Sequence, residues 1–510
     1  MAAATPHGTT GSEKIQPSKI GEEWTRGDRF HTGWRVRPRQ CSSHVRNRVR
    51  RRGDAMTLRS VNPHDTSDVI GEWPADDERA VEGAVTRARH AANAWRAIPA
   101  SARAKALGEA AAALERRAGE VVQLTVREVG KPLSEARGEV SRGIAILRYY
   151  AQMALLPDGE TLPATDPDAL LLVRHYPVGV VALLTPWNFP VAIPLWKAAP
   201  SLAYGNATIL KPSSAAAGVA LLLHEIIAPL LPEDIFQVVL GDAATARPLL
   251  EDHSVAAVSF TGSVPVGHDI VRRVVGRGAR VQAEMGGQNP SVVLADADLD
   301  RAAATIAYAA MGYAGQKCTA TSRVIVEHAV YAGFRERLIA AVEGLHVVDP
   351  SDERTLVGPV IDEGSRAAAL DAVAHAGGRV LTGGQSLDHP GFYLAPTLVE
   401  LDEASGPLAS EEVFAPVAAV LRASSAEEAI DIANGVRFGL VASIFTQDLS
   451  HALRLSQQLE VGMIRVNAPT SGVDYHAPFG GSKESSFGPR EQGLAARDFY
   501  TETRTVMLAP

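Results

Sequence analysis

The sequence predicts an α/β protein organised around a parallel sheet, and three observations carry that prediction. From Asp65 onward, apolar or β-branched runs of strand length alternate with Ala-rich stretches of helical spacing. The chain has 510 residues, room for about three compact units of ~150 residues each. Hydrophobic residues make up 46% and charged residues 21%, enough for large cores and too little charge bias for a disordered chain. An alternating pattern of this kind puts helices on both faces of a parallel sheet, and such sheets bind ligands at the carboxyl ends of their strands.

The elements follow in order. Ranges 75–94 and 100–128 read as Ala-, Arg- and Glu-rich helices separated by Pro99, and 139–154 reads as a third helix. Ranges 170–175 and 178–184 have strand length and are divided by Pro177. Strand-then-helix pairs come next: 207–210 with 215–230, 236–240 with 244–252, and 257–260 with 266–275, before a strand at 280–284. A second alternating region runs from 291 to about 466. No short internal repeat is visible.

Composition excludes several classes. Two cysteines, Cys41 and Cys318, leave no disulfide framework and make a reducing, cytoplasmic setting the default. Apolar runs fall short of the ~18 residues a membrane span needs, and no apolar run follows Met1, so neither anchor nor secretory signal is expected. The net charge of −8 hides eight arginines between Trp34 and Gly53, where no Asp or Glu occurs. That stretch reads as a solvated insertion in preference to a nucleic-acid arm, because it lacks apolar periodicity and interleaved aromatics. No His/Cys/Asp spacing suggests a metal site.

Five local patterns carry possible chemistry, each with a plainer alternative. Ser259–Phe260–Thr261–Gly262–Ser263 joins a strand to a helix, and the amides opening that helix at Val266 and Gly267 could face an anion; such turns are also common without a ligand. Lys211, at a strand end before Pro212, Ser213 and Ser214, could sit beside a ribose or phosphate, or be a surface lysine. Cys318, in Gly315–Gln316–Lys317–Cys318–Thr319, is a small buried hydrophobe or a nucleophilic thiolate. Glu284 ends an apolar strand before two glycines, an odd place for an unpaired acid and a fitting one for a base of raised pKa. Asn188, between Trp187 and Phe189, is a turn-former or a donor to a developing oxyanion.

Taken in order, these patterns resemble the aldehyde dehydrogenase superfamily from about Val61 to Val506. Pro186–Trp187–Asn188–Phe189–Pro190, Phe260–Thr261–Gly262–Ser263, Glu284–Met285–Gly286–Gly287, Gly315–Gln316–Lys317–Cys318, Glu411–Glu412–Val413–Phe414 and Pro478–Phe479–Gly480–Gly481 carry the likeness. The resemblance implies Cys318 as nucleophile, Glu284 as base, and Asn188 as oxyanion donor with the Cys318 amide. It implies cofactor contacts from Trp187, Lys211, Ser213, Ser214, Gly262, Ser263, Gly267, Glu412 and Phe414. Glu284 favours hydrolysis of a thioester over transfer to coenzyme A. Ser214 stands where NAD-preferring members carry a glutamate, so NADP is expected to be accepted and preferred over NAD.

Glu284–Met285–Gly286–Gly287–Gln288–Asn289–Pro290, Gly315–Gln316–Lys317–Cys318–Thr319–Ala320–Thr321–Ser322–Arg323, Pro469–Thr470–Ser471–Gly472–Val473–Asp474–Tyr475–His476 and Gly488–Pro489–Arg490–Glu491–Gln492–Gly493 are similar to bacterial 2-oxoglutarate semialdehyde (2,5-dioxopentanoate) dehydrogenases. That likeness implies a substrate tunnel lined by Arg142, Phe189, Trp196, Lys317, Thr319 and Phe479. Arg142 is expected to grip the substrate's distal carboxylate or keto group; an ion pair with Glu139 is the plainer alternative. Another small semialdehyde, such as succinate semialdehyde, or an aliphatic or aromatic aldehyde is the alternative substrate. The family architecture implies an N-terminal extension over 1–55, a cofactor-binding domain over 56–157 and 179–284, and a catalytic domain over 285–480. It also implies oligomerisation strands at 158–178 and 494–510, giving a homodimer or homotetramer.

Overall fold

The computed structural model describes residues 56–510, so Cys41, the arginine-rich stretch and the expected 1–55 extension lie outside the described residues. Two parallel sheets and a small antiparallel one organise the described chain. In the first sheet, strands Phe236–Val238, Ala207–Pro212, Val180–Thr185, Val255–Thr261 and Arg280–Glu284 run parallel, and Ser486–Phe487 adds an antiparallel edge. Every residue of Val180–Thr185 is buried, as expected of a central strand covered on both faces. The second sheet orders Arg379–Thr382, Thr397–Glu400, Val417–Ala423, Thr321–Glu327, Asn289–Val293, Val441–Phe445 and Met463–Val466, all parallel except the first pair.

Each sheet owns a hydrophobic core. One gathers side chains such as Leu183, Ile209, Val258 and Leu195; the other gathers Val292, Ile325, Val420 and Ile444. Glu284 closes the last parallel strand of the first sheet, and Asn289 opens an interior strand of the second. The chain therefore crosses between the two cores within four residues, which puts the carboxyl ends of the first sheet against the second. The third sheet pairs Thr501–Leu508 and Gly159–Leu162 with opposite sides of Leu170–Pro177, leaving Leu162, Leu170, Met507 and Leu508 exposed.

Two helices differ from their sequence pattern. The predicted 100–128 helix is two, Ala100–Arg116 and Ala118–Val129, broken at Arg117. Gly119, a weak helix former, stands two residues past the break, and the Arg117 guanidinium bridges Glu120 and Glu225 at 2.7 and 2.8 Å. The third helix is Leu133–Met153, beginning six residues before the predicted 139 and directly after Pro132, whose fixed φ suits a helix entrance. The extra turns bring Glu135 onto the same rod as Glu139 and Arg142.

Candidate active site

Cys318 lies in a turn after a run of left-handed backbone. Tyr313 and Ala314 have φ of 56° and 53°, and Gly315 continues it at 65°. Non-glycine residues hold this conformation only where the surroundings impose it. Here the buried Gln316 side chain does part of that: its Nε2 donates to the Pro359 carbonyl and its Oε1 accepts from Ile361 N–H. The Cys318 and Ala320 carbonyls accept from Asn289 Nδ2, both at 2.8 Å. Cys318 is half-buried and opens onto a cavity of about 370 Å³.

Arg142, Phe189, Trp196, Lys317, Thr319 and Phe479 all line that cavity with Cys318. The alternative reading of Arg142 is corrected by what Glu139 does instead. Glu139 pairs with the buried Lys131 and accepts N–H bonds from Val191 and Ala192. Lys317 is tied to Glu135 at 2.6 Å, and Tyr308 donates to the same carboxylate oxygen at 2.7 Å. That pairing holds the Glu135 carboxyl low, at about 2, against its own burial. Arg142 has no carboxylate within ion-pair distance among the described residues.

Asn188 is buried beneath Cys318, where its Nδ2 donates to the Gln316 carbonyl at 3.0 Å. Glu284 is buried and accepts from Ser486 Oγ at 2.6 Å. Burial first, and the Glu491 carboxylate second, push Glu284 well above the usual carboxylate range. Glu491 is itself held by Lys197, which also donates to Ser259 at 2.8 Å, and by Trp196 Nε1 at 2.8 Å. Burial, with the carboxylates of Glu412, Glu284 and Glu491 around it, raises the Cys318 thiol far above its ordinary value.

A second cavity, about 580 Å³, opens at the carboxyl ends of the first sheet. Trp187, Lys211, Ser213, Gly262 and Ser263 line it, with Arg247 and Arg273 farther out. Ser214 is exposed and opens the short helical turn next to Ser213. Gly267 departs from its expected place. It is buried, and a Cβ there would sit 2.4 Å from Met285 Sδ, so it serves close helix–strand packing and not the cavity wall. Glu412 and Phe414 line a narrow cleft with Lys317. Glu412 accepts from Gly287 N–H at 3.0 Å and is raised by burial to about 7. Phe414, with φ 56°, meets the Trp187 ring edge-on at 5.8 Å, joining the cleft to the larger cavity.

Two buried hydroxyls in the 580 Å³ cavity, Thr185 Oγ1 and Thr261 Oγ1, have no hydrogen-bond partner. Unpaired buried hydroxyls are costly. With the Lys211 ammonium beside them, they fit a polar, anionic guest such as a dinucleotide.

The comparisons agree with this architecture. A model described as the aldehyde dehydrogenase family matches residues 50–506. The chain belongs to the aldehyde dehydrogenase family. The alpha-ketoglutaric semialdehyde dehydrogenase of Bacillus subtilis (strain 168) is 41% identical over 461 residues, 88% of this chain and 94% of that protein. The alpha-ketoglutarate semialdehyde dehydrogenase of Haloferax volcanii is 37% identical over 88% of this chain and 95% of its own length. Among solved structures, PnpE from Pseudomonas sp. WBC-3, in complex with nicotinamide adenine dinucleotide, superposes with a TM-score of 0.86 at 35% identity, covering 90% of this chain and 96% of that one. An NADP dependent enzyme from E. coli gives 0.86 at 33% identity, covering 89% and 95%.

Sequence reasoning missed Lys131, Glu135, Glu139, Lys197, Ser486 and Glu491. Glu135, Glu139 and Arg142 stand at i, i+4 and i+7, one helix face, and that spacing was a usable signal once the helix start was known. Glu491 lies 294 residues from its Lys197 partner, so no local pattern reveals it.

Proposed function

We propose that the protein oxidises 2-oxoglutarate semialdehyde to 2-oxoglutarate with NADP or NAD, NADP being preferred, through an acyl intermediate on Cys318. One observation carries the substrate charge. In the Cys318 cavity Lys317 is neutralised by Glu135, whereas Arg142 keeps a cation free to meet a carboxylate. The names of the two relatives describe the same keto-acid aldehyde.

Proton loss from Cys318 precedes attack, since only the thiolate adds to a carbonyl. Addition to the aldehyde carbon gives a thiohemiacetal alkoxide. Asn188 Nδ2 and the Cys318 amide are the donors that would stabilise it, and removing one such donor typically costs ~10²–10³ in rate. NAD(P), when bound, supplies the hydride acceptor that lets the adduct become a thioester. Trp187, Lys211, Ser213, Ser214, Gly262 and Ser263 would hold its adenosine and pyrophosphate side, and Glu412 and Phe414 its nicotinamide side. Glu284 then takes a proton from water, which attacks the thioester carbon, releases the carboxylate and restores the thiol. Burial, which lifts its carboxyl above the usual carboxylate range, makes it a stronger base than an exposed carboxylate.

The cofactor preference rests on Ser213 and Ser214, which put no carboxylate beside Lys211 to repel a 2′-phosphate. A homodimer or homotetramer is supported by the exposed apolar edges of the third sheet. No described helix is long and apolar enough to cross a membrane; a cytoplasmic setting rests on the need to keep Cys318 reduced.

A panel of aldehydes with both cofactors tests the reading. The keto-acid semialdehyde with NADP should give the highest kcat/KM. A neutral aldehyde of equal length used as efficiently would remove the Arg142 argument, and a tenfold advantage for NAD would overturn the cofactor preference.

A further inference from the structure

Between the oxyanion donor and the nucleophile turn lies an ion pair that neither motif contains. Lys131 and Glu139 are paired with 0% and 1% of their side chains exposed. A buried pair of this kind brings little net stability, because desolvation offsets the attraction. Its surroundings explain what else it does.

Glu139 divides its two oxygens. Oε1 accepts from Val191 N–H at 2.8 Å and Ala192 N–H at 2.9 Å, and Oε2 accepts from Lys131. Those two amides open the Ala192–Ala203 helix, whose first-turn donors lack carbonyl partners of their own. Asn188 stands three residues before that point. The carboxylate therefore fixes where the chain leaves the strand end and hence where the Asn188 amide points.

Lys131 reaches the other way. Its Nζ lies 3.9 Å from the Phe189 ring centre and 4.5 Å from that of Tyr313. The two rings meet edge-on at 6.3 Å. Phe189 follows Asn188, and Tyr313 begins the left-handed run before Cys318. A desolvated ammonium over an aromatic face is attracted by the ring, and here it bears on the segment that holds two non-glycine residues at positive φ.

We propose that the buried Lys131–Glu139 pair is a positioning element for the reaction: it holds the segment bearing Asn188 and the turn bearing Cys318 in a single register. The proposal rests on the roles given above to those two residues. Neither Lys131 nor Glu139 touches the reacting atoms. Their effect runs through the Val191 and Ala192 amides on one side and the Phe189 and Tyr313 rings on the other. Besides the edge-on contact of the Phe189 and Tyr313 rings, the two segments share the bond from Asn188 Nδ2 to the Gln316 carbonyl.

Two variants test it in the full-length protein. The double substitution Lys131→Met with Glu139→Gln removes both charges at nearly constant volume and strands neither. Glu139→Asp keeps both charges and shortens the carboxylate's reach by one methylene, so it can no longer serve the amides and Lys131 together. Both should lower kcat by about 10- to 100-fold, the scale of a misplacement of roughly 1 Å. The KM for aldehyde and the dissociation constant for NADP, read from protein fluorescence, should stay within about threefold of wild type, within ordinary pairwise variation. The midpoint of the pH profile for Cys318 alkylation by iodoacetamide should fall, as a loosened turn admits water to the thiol. Wild-type kcat and an unmoved alkylation profile in either variant would overturn the proposal, whatever the melting temperature does. An inactive wild type would instead indict the roles of Cys318 and Asn188, which keeps the two failures distinct.

Discussion

Two cavities among the described residues handle their charges differently. The 580 Å³ cavity at the first sheet is walled by strand ends, glycine, small hydroxyls and Lys211, with Arg247, Asp269 and Arg273 also on its wall. Around Cys318, the 370 Å³ cavity pairs its charges: Lys317 with Glu135, and Glu139 with Lys131 buried behind the wall, while Arg142 has no carboxylate within ion-pair distance among the described residues. A dinucleotide can be met by a fixed turn at the strand ends. In the Cys318 cavity one lining cation, Lys317, is cancelled by Glu135 and the other, Arg142, is not, which is the basis of the proposed preference for a charged aldehyde.

Predictions that break or sharpen this contrast fall in order of size. Cys318→Ser should lower aldehyde-dependent NADP reduction by about 10⁴-fold or more, as removal of a nucleophile does, without weakening NADP binding; a fluorescence titration beside a rate assay checks both. Asn188→Ala should cost ~10²–10³ in kcat with little change in KM. Arg142→Leu should raise KM for the keto-acid semialdehyde by about 10- to 100-fold, the loss of a charged hydrogen-bonded contact, while leaving a neutral aldehyde unaffected. Equal effects on both substrates would show that the cavity does not discriminate by charge. Ser214→Glu should shift the preference toward NAD by about tenfold or more through like-charge repulsion of the 2′-phosphate.

The pH dependence separates the cavities too. Cys318 and Glu284 are both raised from their ordinary values, so their reactive, deprotonated forms grow as pH rises. Turnover should climb from pH 6 toward the alkaline side, and Glu284→Gln should remove the limb that belongs to thioester hydrolysis. The sign for stability runs the other way. A carboxyl whose folded pKa is raised favours folding while protonated and loses that contribution as pH rises through the folded value. Buried Glu128 and Glu412, both raised from 4.5 to about 7, should therefore make the melting temperature fall as pH rises from about 4.5 to about 7 and level off above that.

The sequence shows the first cavity far better than the second. Strands 178–184 and 257–260, the Gly262 turn and Lys211 are local features, each readable from a short window of residues. Asn188, Glu284 and Cys318 are legible for the same reason, since each sits in a compact motif at an element end. The charged network is different. Lys131 and Glu139 are only eight residues apart, yet their pairing depends on a helix that starts six residues earlier than periodicity alone suggests. Lys317 meets Glu135 across 182 residues and Lys197 meets Glu491 across 294, partnerships set by packing. The likeness to known enzymes named the actors without showing that Arg142 would be left unpaired. Gly267 shows the converse error, a motif glycine whose place is in packing against Met285.

The account stands most directly on covalent chemistry at one sulfur. Glu284→Gln protein, mixed rapidly with the keto-acid semialdehyde and NADP and then digested for mass spectrometry, should yield one equivalent of NADPH per active site and the acyl mass on the Cys318 peptide. No adduct, or an adduct on any other residue with NADPH still formed, would contradict it.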